Sequence, residues 1–304
     1  MTLIEWITSY DPALKRLLSK YLLNEIIEVE ESPMITSYLS HYHKDSHLLG
    51  EGFYSPKWTS SHYILLELKY MEIDPNHPIF IDALTHLVDH MWQQDGKVNR
   101  YRHQDLCVVG MLASMLAYAN SLDERLFEMI DYILMHQMPD GGFNCQWETK
   151  DTNKSSVHTS LTILEMIKDY EKRGYTYRID ELVIVKKDII QILLKRHLYK
   201  TMALDEPIHK DMMIPHYPAR WKYDILRVLE VFSDLDVDYD ARMKDALDHL
   251  KSMLKAGKMP KGPTIPGLTY FQIENERYGR FNTYRMLKVL KAYDKSLYQD
   301  LLRK

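Results

Sequence analysis

The chain has 304 residues, 45% of them hydrophobic, which is enough to bury a sizeable core, and a formal net charge of −4. Lys and Arg (39) are outnumbered by Asp and Glu (43) and never gather in a long run, so the electrostatic footprint of a nucleic-acid binder is missing. Two cysteines, Cys107 and Cys145, exclude a disulfide framework and point to a reducing compartment. Met1 to Trp6 has neither the basic nor the apolar region of a signal peptide, and no apolar stretch approaches the ~20 residues that span a bilayer, so no transmembrane segment and a cytoplasmic location are expected.

Glycine (11) and proline (12) are sparse, and most long segments place apolar residues at i, i+3, i+4 and i+7, the spacing of helices. Pro12 to Leu23 and Pro33 to His43 read as helices preceding a repeat. Five later segments share one plan: a loop, a helix that opens on polar residues, an Asp/Ser/Asn break and a second helix. The first helices align at His62, Leu106, His158, Tyr223 and Tyr284, with spacings of 44, 52, 65 and 61 residues, so the later repeats carry longer loops. The breaks Ile73 to Pro78, Asn120 to Glu124 and Asp236 to Asp240 supply caps for second helices that include Ala83, Met129 and Ala246, and Pro78 suits a first helical turn. The alternating Asp234, Asp236, Asp238 and Asp240 mimic a calcium loop, but Tyr239 stands where such a loop needs its turn glycine, so they read as caps.

Helix pairs in this number close into an α/α toroid or stack as an open solenoid. The expected fold is an all-α toroid forming one domain over residues 1–304, with residues 1–45 completing the ring and residues 46–304 forming five helix pairs. In a toroid the starts of the inner helices share one cavity mouth. The repeat register therefore sets Asp105, Cys107 and His158 at equivalent points.

The segment Tyr132, Ile133, Gln137, Gly141 and Phe143, with the turn Pro139-Asp140-Gly141-Gly142, resembles the glutamine–aromatic repeat motif of squalene and hopene cyclases. In that family the glutamine bonds a helix end, which implies a structural role. Asp105-Leu106-Cys107 and His158-Thr159-Ser160-Leu161 resemble the zinc-binding elements of protein prenyltransferase β subunits, from the same superfamily. The resemblance covers roughly residues 45 to 290, and the chain looks most like small single-barrel members to which no activity is assigned. It implies zinc on Asp105, Cys107 and His158, with Arg102 and His62 resembling diphosphate contacts and Arg100 beside Asn99 near a second basic position. It also implies an isoprenoid-like or other apolar small-molecule partner, and raises a partner subunit, since those transferases borrow a lysine from one. The Asp-x-Asp-Asp acid motif of squalene-type cyclases is absent.

Three protein ligands leave zinc an open position at which a thiol or water is activated. Asp105 and Cys107, two residues apart, share a metal only where Asp105 lies ahead of the first helical turn. The alternative makes Asp105 a cap, Cys107 a small core residue and His158 a helix-start hydrogen bonder. Arg100, Arg102, His103 and His62 either hold a diphosphate or form a solvated basic loop. Trp58, Tyr101, Phe143, Trp147, Trp221, Tyr223 and Tyr270 line an apolar pocket or pack a rim. Arg220 with Tyr223 and Asp224 either faces the cavity or knits repeats together. Cys145 is a fourth ligand, a reactive thiol or a spectator, and the i,i+4 pair His86 and His90 reads as a solvated outer face. The expected function is a zinc-dependent prenyltransferase-like enzyme; the alternatives are a terpenoid cyclase-like enzyme and a non-catalytic lipid- or peptide-binding toroid.

Overall fold

A computed structural model describes residues 1–100, 102–119, 123–148 and 152–303. Tyr101 and the capping break at residues 120–122 lie outside the described residues. The structure is 53% helix and 5% strand, so the all-α class holds. No described helix is long and apolar enough to cross a membrane. The chain divides into two compact units, one made of Met1–Ser40 with Leu194–Lys304, the other of His41–Leu193.

The first unit opens with α1 (Leu3–Thr8), α2 (Pro12–Leu18) and α3 (Pro33–Leu39). Local chemistry starts each of them. Thr2 and Glu5 form a reciprocal capping box, while Asp11 and Ser32 cap helices whose first residue is proline.

The second unit begins with the short antiparallel pair β1 (Tyr42–His43) and β2 (Leu48–Leu49), followed by α4 (Ser61–Tyr70) and α5 (Pro78–Met91). A second antiparallel pair, β3 (Lys97–Asn99) and β4 (Arg102–His103), leads into α6 (Leu106–Tyr118) and α7 (Arg125–Met135). Helices α8 (Val157–Lys172) and α9 (Ile179–Lys195) follow, the last two residues of α9 belonging to the other unit.

Two kinds of helix alternate here. Helices α4, α6 and α8 are buried nearly all round. Helices α5 and α7 bury one stripe each, Phe80, Ala83, Leu84, Leu87 and Val88 in α5 and Leu126, Met129, Ile130 and Ile133 in α7. The approach of α6 to α8 is set by Gly110, where a methyl group would meet Ile163 Cδ1 at 2.8 Å and Thr162 Cγ2 at 3.2 Å. Each buried leucine of α6 contributes about 1.5–3 kcal/mol to this packing.

Interior position forces polar residues of these helices to pair. Lys69 on α4 places its Nζ 2.5 Å from both Ser114 Oγ on α6 and Asp169 Oδ2 on α8, and the Ser114 hydroxyl donates to Asp169 at 2.6 Å. All three residues are buried. Burial raises the Asp169 carboxyl, but the Lys69 and Lys168 ammonium groups and the Ser114 hydroxyl together outweigh it and hold the group below its ordinary range.

The Gln137 to Phe143 segment works as a connector. Gly141 takes a left-handed turn (φ +95°), and Gln137 Nε2 donates to its carbonyl at 2.8 Å and to Asp188 of α9 at 3.2 Å. Phe143 is fully buried and its N–H donates to Ser160 Oγ of α8.

The first unit resumes with α10 (Ile225–Asp234), α11 (Lys244–Met253), α12 (Arg280–Tyr293) and α13 (Lys295–Leu302). Asp224 caps α10 by accepting the Arg227 N–H at 2.8 Å, and Asp240 accepts the Arg242 N–H in the short turn before α11. Helices α10 and α12 are joined by Arg285 and Lys288, which reach Glu230 at 2.7 and 3.1 Å. Arg280 ties α12 back to α1 by donating to the Trp6 carbonyl at 3.0 Å.

Glu274 sits ahead of α12, 8% exposed, with Oε1 accepting the Phe281 N–H at 2.7 Å. Its Oε2 is buried without a hydrogen-bond partner. Burial, opposed by the N–H groups of Phe281 and Arg280, pushes its carboxyl up to about 7.

Candidate functional site

The start of α6 gathers most of the chemistry of the second unit. In front of it lies an open cavity of about 990 Å³, bordered by Phe53, Tyr54, His90, Arg102, Asp105 and Val108. Its size suits a small-molecule ligand. Its walls are mixed, with Phe53 stacked on His90 at 3.6 Å and Arg102 and Lys97 supplying positive charge. His86 is half-buried and His90 exposed, and both rings lie against Phe53.

Asp105 is the residue ahead of the first turn of α6, yet its side chain caps nothing. Its Oδ1 accepts from Arg102 at 2.9 Å, and this bond raises the Arg102 pKa. Both side chains are well exposed, so the pair contributes little to stability. The arginine is thus engaged within the protein. Arg100, in the turn after β3, is exposed.

Cys107, the second residue of α6, lies against Cys145. The Cys107 N–H donates to Cys145 Sγ at 3.1 Å, and Cys145 Sγ shares a hydrogen bond with Thr159 Oγ1 on α8 at 3.3 Å. The starts of α6 and α8 therefore meet at Cys145. The bond from Cys107 draws the Cys145 thiol down, helped by Thr159, while the same bond and burial push the Cys107 thiol up. His158 precedes Thr159 in the first turn of α8.

Thiol, imidazole and carboxylate are zinc's preferred donors. As placed, Asp105 is held by Arg102, and among the described residues no three His, Cys, Asp or Glu side chains come together as a metal would require. The three expected ligands therefore share a neighbourhood, the α6 and α8 starts, without forming a closed ligand set.

His62 lies on α4, fully buried, with neither ring nitrogen hydrogen-bonded. Burial, reinforced by the positive Lys57, pushes its pKa down to about 3. It is a neutral imidazole and brings no positive charge to a diphosphate. The Tyr54 ring, which borders the cavity, packs edge-on against His62 at 5.1 Å. Trp58 is likewise buried, against Tyr63.

His103 donates its backbone N–H to Glu148 Oε2 at 2.9 Å and sets its Nδ1 2.7 Å from Oε1. These bonds hold Glu148 below its ordinary pKa. His103 and Trp147 border a second cavity of about 490 Å³ with Trp92, Tyr132 and His136.

The other expected contacts, Arg220, Trp221 and Tyr223, belong to the first unit. Arg220 is buried at a small cavity of about 60 Å³, beside Tyr217, Gly262 and Glu274. Tyr223 is buried and donates its hydroxyl to the Leu198 carbonyl, and burial pushes its pKa up. Trp221 is half-buried.

Compared with known proteins, the chain matches no family model. No curated protein matches it either.

Proposed function

We propose that the cavity at the start of α6 is the working site of a prenyltransferase-like enzyme, taking an apolar, isoprenoid-like molecule with an anionic head group. The observation that carries this reading is the convergence of the α6 and α8 starts on Cys145 beside a cavity of about 990 Å³. The apolar chain lies along Phe53, Tyr54 and Val108, and the anionic head meets Arg102, whose guanidinium exchanges Asp105 for it. The family likeness and the α/α toroid belong to the same reading. The alternation of wholly buried and one-sided helices supports them.

Zinc on Asp105, Cys107 and His158 is the metal-dependent form of this proposal, and it requires Asp105 to leave Arg102 for the ion. Elemental analysis of untagged protein, with Cys107→Ala and His158→Ala alongside, decides it. About one zinc per chain, lost in both variants, supports the ligand set. No zinc in folded wild type after zinc is added back removes it. Calorimetric titration with farnesyl diphosphate tests the cavity separately, and absence of binding at millimolar ligand overturns the substrate class.

A further inference from the structure

We propose that Cys107 and Cys145 are an oxidisable dithiol, closed to a disulfide by a hydroperoxide and reopened by thiol exchange. They are the only two cysteines in 304 residues and lie 38 positions apart, yet Cys145 Sγ sits 3.1 Å from the Cys107 backbone nitrogen. A disulfide requires the sulfurs to close to about 2.05 Å, and Cys145 Sγ already rests against the backbone of Cys107. Neither thiol is sealed, since both residues are half-buried. Cys107 stands on the first turn of α6, but Cys145 stands in a turn rather than a helix, so the remaining approach falls on the more yielding segment.

The chemistry balances with one named oxidant. The peroxide O–O bond breaks as Cys145 Sγ takes one oxygen, giving a sulfenic acid and releasing the other oxygen as water or an alcohol. Cys107 Sγ then attacks that sulfur. The S–S bond forms, the S–OH bond breaks, and water leaves with the Cys107 proton. Reduction by a small dithiol reverses the closure. A closed disulfide also removes Cys107 from any ligand set, so oxidation would switch off a metal-dependent site, although the dithiol itself stands whether or not zinc binds.

The test uses chelator-stripped and zinc-treated portions of the whole protein, exposed to hydrogen peroxide, with free thiols counted after denaturation and intact masses recorded. The stripped wild type should lose both thiols together and two hydrogens in mass, with a 107–145 cross-linked peptide, and dithiothreitol should restore it. Cys107→Ser and Cys145→Ser should lose no hydrogens and gain oxygen on the remaining sulfur. Oxygen added to the wild-type sulfurs without the cross-link, or linkage only between chains, overturns the proposal. Protein that takes no zinc but closes leaves the dithiol standing and the metal reading fallen. Protein that binds zinc but fails to close when stripped sinks the dithiol alone.

Discussion

Replacing Glu274 by Gln should leave stability nearly unchanged in acid and raise it progressively in base. Burial lifts the Glu274 carboxyl from an ordinary 4.5 to about 7 in the folded chain. The shift of about 2.5 units corresponds to about 3 kcal/mol between the protonation states. Because the folded value lies above the unfolded one, the favourable contribution is complete below 4.5 and is lost as pH rises through 7. Summed over that window, the wild type loses about 2–3 kcal/mol between pH 5 and pH 8 that the amide does not. Gln keeps an oxygen for the Phe281 N–H and carries no charge to bury. Urea unfolding of both proteins at half-unit steps from pH 5 to 9, followed by far-ultraviolet circular dichroism, measures the difference. Parallel stability curves across that range would refute the argument, because they require an ordinary, solvated carboxyl at a residue that is 8% exposed.

Lys69→Met strands the Asp169 carboxylate with Ser114 and the more distant Lys168 (3.7 Å), and should cost about 3–5 kcal/mol. Pairing it with Asp169→Leu should recover most of the loss in the same urea assay, and a single variant within 1 kcal/mol of wild type (about the error of such comparisons) contradicts the buried pair. Gly110→Ala pushes a methyl group against Ile163 and Thr162 and should destabilise by about 1–3 kcal/mol in thermal unfolding; a neutral effect means α6 and α8 have slack. Arg102→Ala should weaken farnesyl diphosphate binding about 10- to 100-fold by calorimetry, the loss of one charge-assisted contact, and unaltered affinity moves the head group elsewhere. The His62 ring, pushed down to about 3, should stay neutral through pH 5 in nitrogen-resolved magnetic resonance, and a midpoint near 6.5 would mean that water reaches it.

Much of the helical layout is legible in the sequence because the outer stripes obey a 3.6-residue period. Phe80, Ala83, Leu84 and Leu87 of α5 announce their face directly. The inner helices are harder to read. In α8, the charged Glu165 and Asp169 are both buried, because neighbouring helices supply partners that no local pattern encodes. At the candidate site, spacing singled out Asp105 and Cys107 but could not tell which way their side chains turn. Asp105 turns to Arg102, three residues back, and Cys107 lies against Cys145, across a connector whose path depends on the Gly141 turn. The Lys69, Ser114 and Asp169 bridge went unread because its members fall on three separate repeats with no shared motif.

The discontinuous first unit has a consequence for synthesis. The Trp6 carbonyl waits for Arg280, the Tyr10 hydroxyl for the Ile273 carbonyl, and the Tyr21 carbonyl for Lys291. At roughly 5–20 residues per second, a ribosome needs on the order of 10–50 s to reach those partners. Meanwhile residues 41–193 emerge as one uninterrupted stretch that can collapse on itself. Leu3, Trp6 and Ile7 of α1 lack the cover of α12 and α13 throughout. They are the surface on which a holding chaperone would act, and nascent chains stalled before residue 280 should be the form most prone to aggregate.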